Sequence, residues 1–578
     1  MPQELNSSSV TSARQYTWLA VCLSVLVLTA YFVRPFYGSP GHLDESYQAL
    51  CVQHWRESPL AMFLFWKAHL WTALFGDSYL SLRMLSAVIT VLSIAVSCWY
   101  LGYRTHSWKN AAWMFVLCGS LGLIEAHLMY NWDTGPTLLY SLGAILMVEY
   151  VRTRRLWILG ALGAVVCLVG LSRVQLFILF PVSFVYIVWM ARRQRASSRN
   201  TLHRMVIFVT VFLATFTVFT TMMNGSPVEY VKAFVPQNII TGHSPGDIGR
   251  YLTVSLYFLG RYAAQQFLSL LVICVALWNT GSVCNEKTRI YVCSIFLAIL
   301  GGVLMSVYMD SEFGMECGFG STGLGIMVTA LLLPVIGNIM RGKRSKIETC
   351  KIIMIVGLWI WFMAPGVGSD NFMSHFNAYG ILPVTISVVV GQLPENQKTF
   401  LRYMLLFATT GFGITAAVRT TSVILSMDEP LGGLPKMSMI YSNAESKNEI
   451  VEVYDVVTAL NVINCADRVN FDGNRYLFNY TMQTAPVYDL QNFHPLDKKY
   501  EIARRRNAAG MYDAWLFHTV TKGYMSGIDS MLVDEGFVCV ENRIDNDTNP
   551  VAEERRGLVL FLREPYASRY RKHIGNRP

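Results

Sequence analysis

The sequence predicts a polytopic α-helical membrane protein of about thirteen transmembrane helices, followed by an extracytoplasmic α/β domain. Three observations predict it. Of the 578 residues, 53% are hydrophobic and only 15% charged, giving a mean hydropathy of +0.36 that a soluble domain hardly tolerates. Apolar runs long enough to cross a bilayer recur through residues 1–426, whereas 427–578 return to a mixed strand-and-helix pattern. Lys and Arg then alternate loop by loop between the runs, as orientation signals do.

The first run, Tyr16 to Val33, has the length of one span and no small-residue cleavage site after it, so it reads as a retained helix and not a cleaved signal peptide. Further runs lie at about 79–101, 111–129, 135–151, 156–172, 174–191, 205–223, 262–279, 290–308, 322–340, 352–364, 378–392 and 403–424. The fifth and sixth are separated only by the tight "LSRVQ" junction at 171–175. With the N-terminus in the cytoplasm every inner loop is basic. These loops carry Arg104 and Lys109; Arg152, Arg154 and Arg155; the cluster from Arg192 to Arg204; Lys287 and Arg289; the cluster from Arg341 to Lys351; and Lys398 and Arg402. The outer loops "NWDTGP" (131–136), "DSEFGMECGFGS" (310–321) and "GVGSDNFMSHFN" (366–377) hold no Lys or Arg.

An odd number of spans places the tail, from Met427 onward, outside. Strand-like "KMSMIYS" (436–442), a helical stretch near 447–463, and "GFVCVENR" (536–543) and "GLVLFLRE" (557–564) predict a small α/β unit there. Cys465 and Cys539 both fall in it, and an outer compartment permits a disulfide between them. The twelve cysteines show no CxxC pair or Cys/His ligand spacing, so no structural zinc site is implied. The net charge of +9 sits in short clusters between apolar runs, which argues against nucleic-acid binding.

The stretch "GHLDESYQAL" (41–50) sets Asp44 and Glu45 at the outer mouth of the first helix, in a connection covering 34–78. Two acids at an interface can simply cap the next helix. Downstream, however, "CVQHWRESPLAMFLFWKAHLWTALFG" (51–76) has apolar residues at helical spacing, interrupted by Trp55, Trp66, Trp71 and the polar His54, Arg56, Lys67 and His69. Such a stretch is expected to lie along the membrane surface as a juxtamembrane helix, roofing the acids. Carboxylates at the water–lipid boundary beside cations suit a reaction between an anionic lipid and a substrate arriving from water.

The run "HLDESYQAL … SPLAMFLFWKAHLWTALFGDSYLSLRMLSAV" resembles the opening of the membrane glycosyltransferases that use polyprenyl-phosphate sugars, the family of protein O-mannosyltransferases and lipid A aminoarabinose transferases. The positions that carry the resemblance are Asp44, Glu45, Pro59, Leu60, Phe75, Gly76 and Arg83, with Asp133 in "YNWDTGPTLL". It covers residues 40–150; thirteen helices with an outer α/β domain are also similar to the aminoarabinose transferase architecture. One departure stands out. Where the bacterial lipid A enzymes read Glu-Lys-Pro-Pro-Leu this chain reads "RESPL", so the family's lysine falls on Glu57, with Arg56 beside it.

The resemblance implies an inverting transfer of a monosaccharide from a polyprenyl-phosphate donor to a lipid, protein or glycan acceptor on the extracytoplasmic side. Such a transfer needs a base for the acceptor hydroxyl, positive charge for the departing phosphate and a pocket holding both in line. Asp44 is the expected base and Glu45 its support. Arg56, Lys67, Arg83, Arg173, Arg250 and Arg261 are the candidate cations, each with the alternative of a snorkelling interfacial anchor; Arg83 occupies the matched position. Asp133 is expected to orient a sugar, or else to cap the fourth helix, and His54 joins the substrate-binding set. No cofactor is assigned, and a divalent cation is possible; Asp310, Glu312 and Glu316 form an acidic outer loop, read as solvated, with divalent-cation binding as the alternative. Two rival functions stay open. A lipid-linked oligosaccharide polymerase or ligase would draw on the 224–250 loop with Lys232, His243, Asp247 and Arg250. A glycolipid flippase or transporter would show two related halves and midplane polar groups, and neither is evident here.

Overall fold

The computed structural model describes residues 4–39, 43–57, 61–125, 130–131, 134–232, 376–390, 395–465, 469–472, 510, 512–521, 530–544 and 554–575. The membrane-type part consists of α1 (Glu4–Val33), α2 (Leu43–Gln53), α3 (Met62–Phe75), α4 (Tyr79–Thr105), α5 (Trp108–Glu125), α6 (Thr137–Thr153), α7 (Leu156–Ser172), α8 (Leu179–Arg193), α9 (Ser198–Asn224), α10 (Phe376–Val390) and α11 (Glu395–Ser426). Among the described residues four helical segments are long and apolar enough to cross a membrane: Thr17–Phe36, Tyr79–Thr105, Leu176–Arg193 and Ser198–Asn224. The apolar runs expected at 262–279, 290–308, 322–340 and 352–364 lie outside the described residues; each of the others coincides with a helix.

Local chemistry sets the helix ends. The Ser78 hydroxyl accepts from Ser81 N at the start of α4 and that of Ser197 from Asn200 N at the start of α9, each satisfying a backbone N–H that the first helical turn leaves open. His106 and Arg154 close α4 and α6 in the left-handed conformation. Between helices, small residues permit close contact. A Cβ on Gly163 of α7 would lie 2.5 Å from the Phe208 carbonyl oxygen of α9, and one on Gly380 of α10 would lie 1.7 Å from Ser141 Oγ of α6.

Two features of residues 34–78 differ from the sequence expectation. The acids lie in the first turn of α2, not in a loop, and the expected juxtamembrane stretch is divided into the end of α2, a 3-10 turn (Trp55–Glu57) and α3. Instead of one apolar face, α3 has two. It buries Met62, Phe63, Leu64, Phe65, Ala68 and Thr72 against its neighbours while Leu70, Leu74 and Phe75 stay exposed. Apolar residues on both sides leave its hydrophobic pattern without a single direction.

Residues beyond 426 form β1 (Glu429–Pro430), β2 (Tyr441–Ser442), α12 (Ala444–Val462), β3 (Val469–Asp472), β4 (Ala514–Thr521), β5 (Phe537–Ile544), β6 (Glu554–Arg563) and α13 (Tyr566–Gly575). The larger sheet runs β3-β4-β6-β5, with β3 parallel to β4 and the other pairs antiparallel. Alternation places Ala514, Leu516, Leu558, Leu560 and Leu562 in one apolar cluster and Trp515, Phe517, Val559 and Phe561 in another, as strand geometry requires. Of the strand-like "KMSMIYS" only Tyr441–Ser442 is extended; positive φ at Lys436 and Met439 turns the chain before it. No disulfide joins Cys465 and Cys539: the first is buried at the end of α12, the second exposed on β5.

The tail is not set apart from the helices. One apolar cluster holds Ala49, Leu50, Cys51 and Val52 of α2, Leu64, Phe65 and Ala68 of α3, and Tyr79, Leu82 and Leu85 of α4. The same cluster holds Ile450, Val453 and Val456 of α12 and Leu558, Leu560 and Leu562 of β6.

Candidate active site

The site is built where α2 and α3 cross the head of α4. Glu45 stands in the first turn of α2, where a carboxylate is favoured by the helix dipole. It is 6% exposed and is met by Arg83, itself 6% exposed, one turn into α4. Arg83 Nε donates to Glu45 Oε1 at 2.6 Å and Nη2 to Oε2 at 2.8 Å, a two-point geometry that fixes both planes. The remaining donors of the guanidinium turn to the connection after α1: Nη1 to the carbonyls of Pro35 and Gly38, Nη2 to that of Ser39. Gly38 has φ +142°, a conformation that favours glycine, and a Cβ there would face Arg83 Nη1 at 3.7 Å. Tyr79, one turn before Arg83, donates its hydroxyl to Ser46 Oγ at 2.9 Å and ties α2 to α4 a second time.

The tail buttresses this connection. Gly38 N donates to the Tyr441 carbonyl at 2.9 Å, the Tyr37 and Tyr441 rings stack at 5.3 Å, and Tyr79 N donates to the Lys436 carbonyl at 3.1 Å. Lys436 Nζ reaches Asp77 Oδ2 at 2.7 Å, which also accepts from Gln53 at the end of α2.

A second group of residues forms on α3. Lys67 Nζ donates to the Gly135 carbonyl at 2.7 Å and stands 5.3 Å over the Phe63 ring. Burial pushes the Lys67 ammonium down to about 7 from its ordinary 10.5. Tyr130 donates its hydroxyl to the Leu64 carbonyl at 2.7 Å. Asn131 and Thr134 bond reciprocally: Thr134 N to Asn131 Oδ1 at 2.8 Å and Asn131 N to Thr134 Oγ1 at 3.0 Å. Asp133 lies outside the described residues, as does the side chain of Asp44. Packing is tight: a Cβ on Gly135 would fall 1.8 Å from Leu64 Cδ1.

The structure therefore brings Glu45 and Arg83 together and carries Lys67 to the Gly135 carbonyl. His54 is half-buried just past α2, and Arg56 is exposed, its guanidinium 5.2 Å from the centre of the Trp55 ring. Arg173 is buried at the end of α7, a helix on which α3 packs. Arg250, Arg261, Asp310, Glu312 and Glu316 lie outside the described residues. Among the described residues no group of three or more His, Cys, Asp or Glu converges as a metal site.

Sequence reasoning passed over Gln48. It is 1% exposed in α2, and among the described residues neither Oε1 nor Nε2 has a hydrogen-bond partner. A dry, unpaired polar group costs about 1–3 kcal/mol. The signal was present: Gln48 follows Asp44 by four residues and Glu45 by three, which is one helical face.

No protein-family model matches the chain, and no curated protein matches it. Two solved proteins resemble it in backbone path. The oligosaccharyltransferase AglB from Archaeoglobus fulgidus, in complex with an inhibitory peptide and a dolichol-phosphate, is 11% identical, with a TM-score of 0.46 over 87% of this chain and 69% of that one. ArnT from Cupriavidus metallidurans bound to undecaprenyl phosphate is 12% identical, with a TM-score of 0.44 over 94% and 98% of the two chains. Its apo state is 15% identical, with the same TM-score over 95% and 98%.

Proposed function

We propose that the chain is a membrane-embedded inverting glycosyltransferase, moving a monosaccharide from a polyprenyl-phosphate donor to a lipid, protein or glycan acceptor on the extracytoplasmic side. The observation that carries this reading is the buried Glu45–Arg83 pair. It clamps the first turn of α2, and with it Asp44, to the end of an apolar helix long enough to cross a membrane. An ionic clamp this deep is costly to bury and yields a fixed backbone for the residue beside it.

In the proposed reaction the Asp44 carboxylate takes the proton of the acceptor hydroxyl as its oxygen attacks C1 of the sugar. The bond from C1 to the phosphate oxygen breaks, and its electron pair leaves with the polyprenyl phosphate. Lys67 is assigned to that developing charge. Its amino group is already held in place by the Gly135 carbonyl, and because burial lowers its pKa to about 7, an arriving anion favours its protonated, charged form. Arg83 has an acceptor for its donors in Glu45 and three carbonyls, so it is assigned to orienting Glu45 and not to the phosphate. Asp133, between Asn131 and Thr134 in the sequence, is assigned to a sugar hydroxyl. The tail beyond residue 426 is assigned to the same extracytoplasmic side, buttressing the connection at Gly38.

The test is a purified full-length chain incubated with lipid extract. A transferase consumes a polyprenyl-phosphate monosaccharide and releases polyprenyl phosphate, seen by mass spectrometry, whereas a transporter leaves that lipid intact.

A further inference from the structure

We propose that Gln48 is a sugar-binding residue of this site, its carboxamide both donating to and accepting from hydroxyl groups on the donor's sugar ring. The inference rests on the transfer reaction proposed above and adds to it the group that reads the sugar.

Placement is the first support. A helical side chain leans toward the N-terminus of its helix and covers the turn before its own Cα. Gln48 thus leans over the turn that carries Asp44 and Glu45. Its neighbours in the site already have their hydrogen bonds: Glu45 with Arg83, Ser46 with Tyr79, Arg83 with Glu45 and the carbonyls after α1. At 1% exposure, with neither amide atom partnered among the described residues, Gln48 holds unfilled hydrogen-bonding capacity.

Chemistry narrows the ligand. A carboxamide presents one acceptor oxygen and two N–H donors, and neither end has a partner among the described residues. A phosphate diester only accepts and would leave Oε1 unpaired. A polyprenyl chain offers nothing to either end. A sugar hydroxyl both donates and accepts, and two adjacent hydroxyls match the spacing of the amide oxygen and nitrogen. If Gln48 served packing alone, an apolar side chain of the same size would fill the position without a desolvated amide.

The experiment uses the full-length protein in detergent with undecaprenyl phosphate alone and with undecaprenyl phosphates bearing mannose, glucose or arabinose. Wild type is compared with Gln48→Leu and with Gln48→Met, the unbranched variant that preserves length should leucine disturb packing. Wild type is expected to bind at least one glycosylated lipid more tightly than the bare phosphate. Both variants should lose about ten- to a hundredfold of that preference, the equivalent of one or two buried hydrogen bonds. Their affinity for the bare lipid and their melting temperature should stay level or rise. Retained sugar preference in the variants, or its absence in wild type, overturns the role of Gln48 alone. A fall in melting temperature with parallel loss of both affinities also overturns it, showing a structural residue. Failure of wild type to bind any of these lipids, bare phosphate included, sinks the transferase reading itself.

Discussion

Arg83 holds Glu45 at two points, Nε to Oε1 and Nη2 to Oε2, with the side chains 7% and 6% exposed. Removing one partner of such a pair strands the other charge. Arg83→Ala is therefore expected to cost about 3–5 kcal/mol, while Arg83→Met combined with Glu45→Leu should recover most of that loss. Thermal unfolding of the three proteins in one detergent measures it; a double variant no more stable than the single would contradict the burial argument.

Asp44→Asn keeps the size of the side chain and removes the base. Transfer should fall by about a hundredfold or more, while expression and polyprenyl-phosphate binding hold. Activity equal to wild type in a purified assay would rule out Asp44.

Lys67 supplies a pH dependence of known sign. Its ammonium is lowered to about 7 in the fold and titrates at its ordinary 10.5 when unfolded, so between those values the unfolded chain binds the extra proton. Stability should rise as pH rises through that window, and Lys67→Met should remove this contribution. Because phosphate prefers the ammonium form, lipid affinity should weaken above about pH 7 in wild type. Superimposable pH–stability curves for the two proteins would show that burial does not shift this group.

Gly135 sits where a methyl group meets Leu64, a fully buried side chain with little room to yield. Gly135→Ala is expected to cost about 1–3 kcal/mol by overpacking and to lower transfer by displacing the carbonyl that holds Lys67. Leu64→Ala in the same chain should relieve the clash and restore part of the activity. No relief would mean the turn tolerates the methyl by moving elsewhere.

Ending the chain after Ser426 would strip α12 and the sheet from a cluster they share with α2, α3 and α4. The truncated protein should reach the membrane in lower yield and be cleaved faster by protease near residues 34–57. Wild-type protease resistance of the shortened chain would show that the helices close that core by themselves.

Much of this was readable from residue order. Apolar runs became helices because a chain crossing lipid must satisfy its backbone internally, and only long apolar segments do so. The strands near 536–543 and 557–564 were visible through two-residue alternation and emerged as β5 and β6. Short pieces were less legible. The 51–76 stretch divided because its apolar residues, spread all round α3, carry no single direction. "KMSMIYS" mostly turned, because its pattern does not encode the positive φ of Lys436 and Met439. Gln48 escaped notice because a glutamine in a helix is ordinary until its surroundings are dry.

Composition and periodicity by themselves determined a helical chain with segments suited to a bilayer, since hydrophobic length and charge alternation are properties of local sequence. Motif order alone drew attention to the acidic pair. Partnership was decided only by tertiary structure. That Arg83 spends its guanidinium on Glu45, that Lys67 meets Gly135, and that Tyr441 braces Gly38 from some four hundred residues away depend on three-dimensional distance, which no local pattern contains.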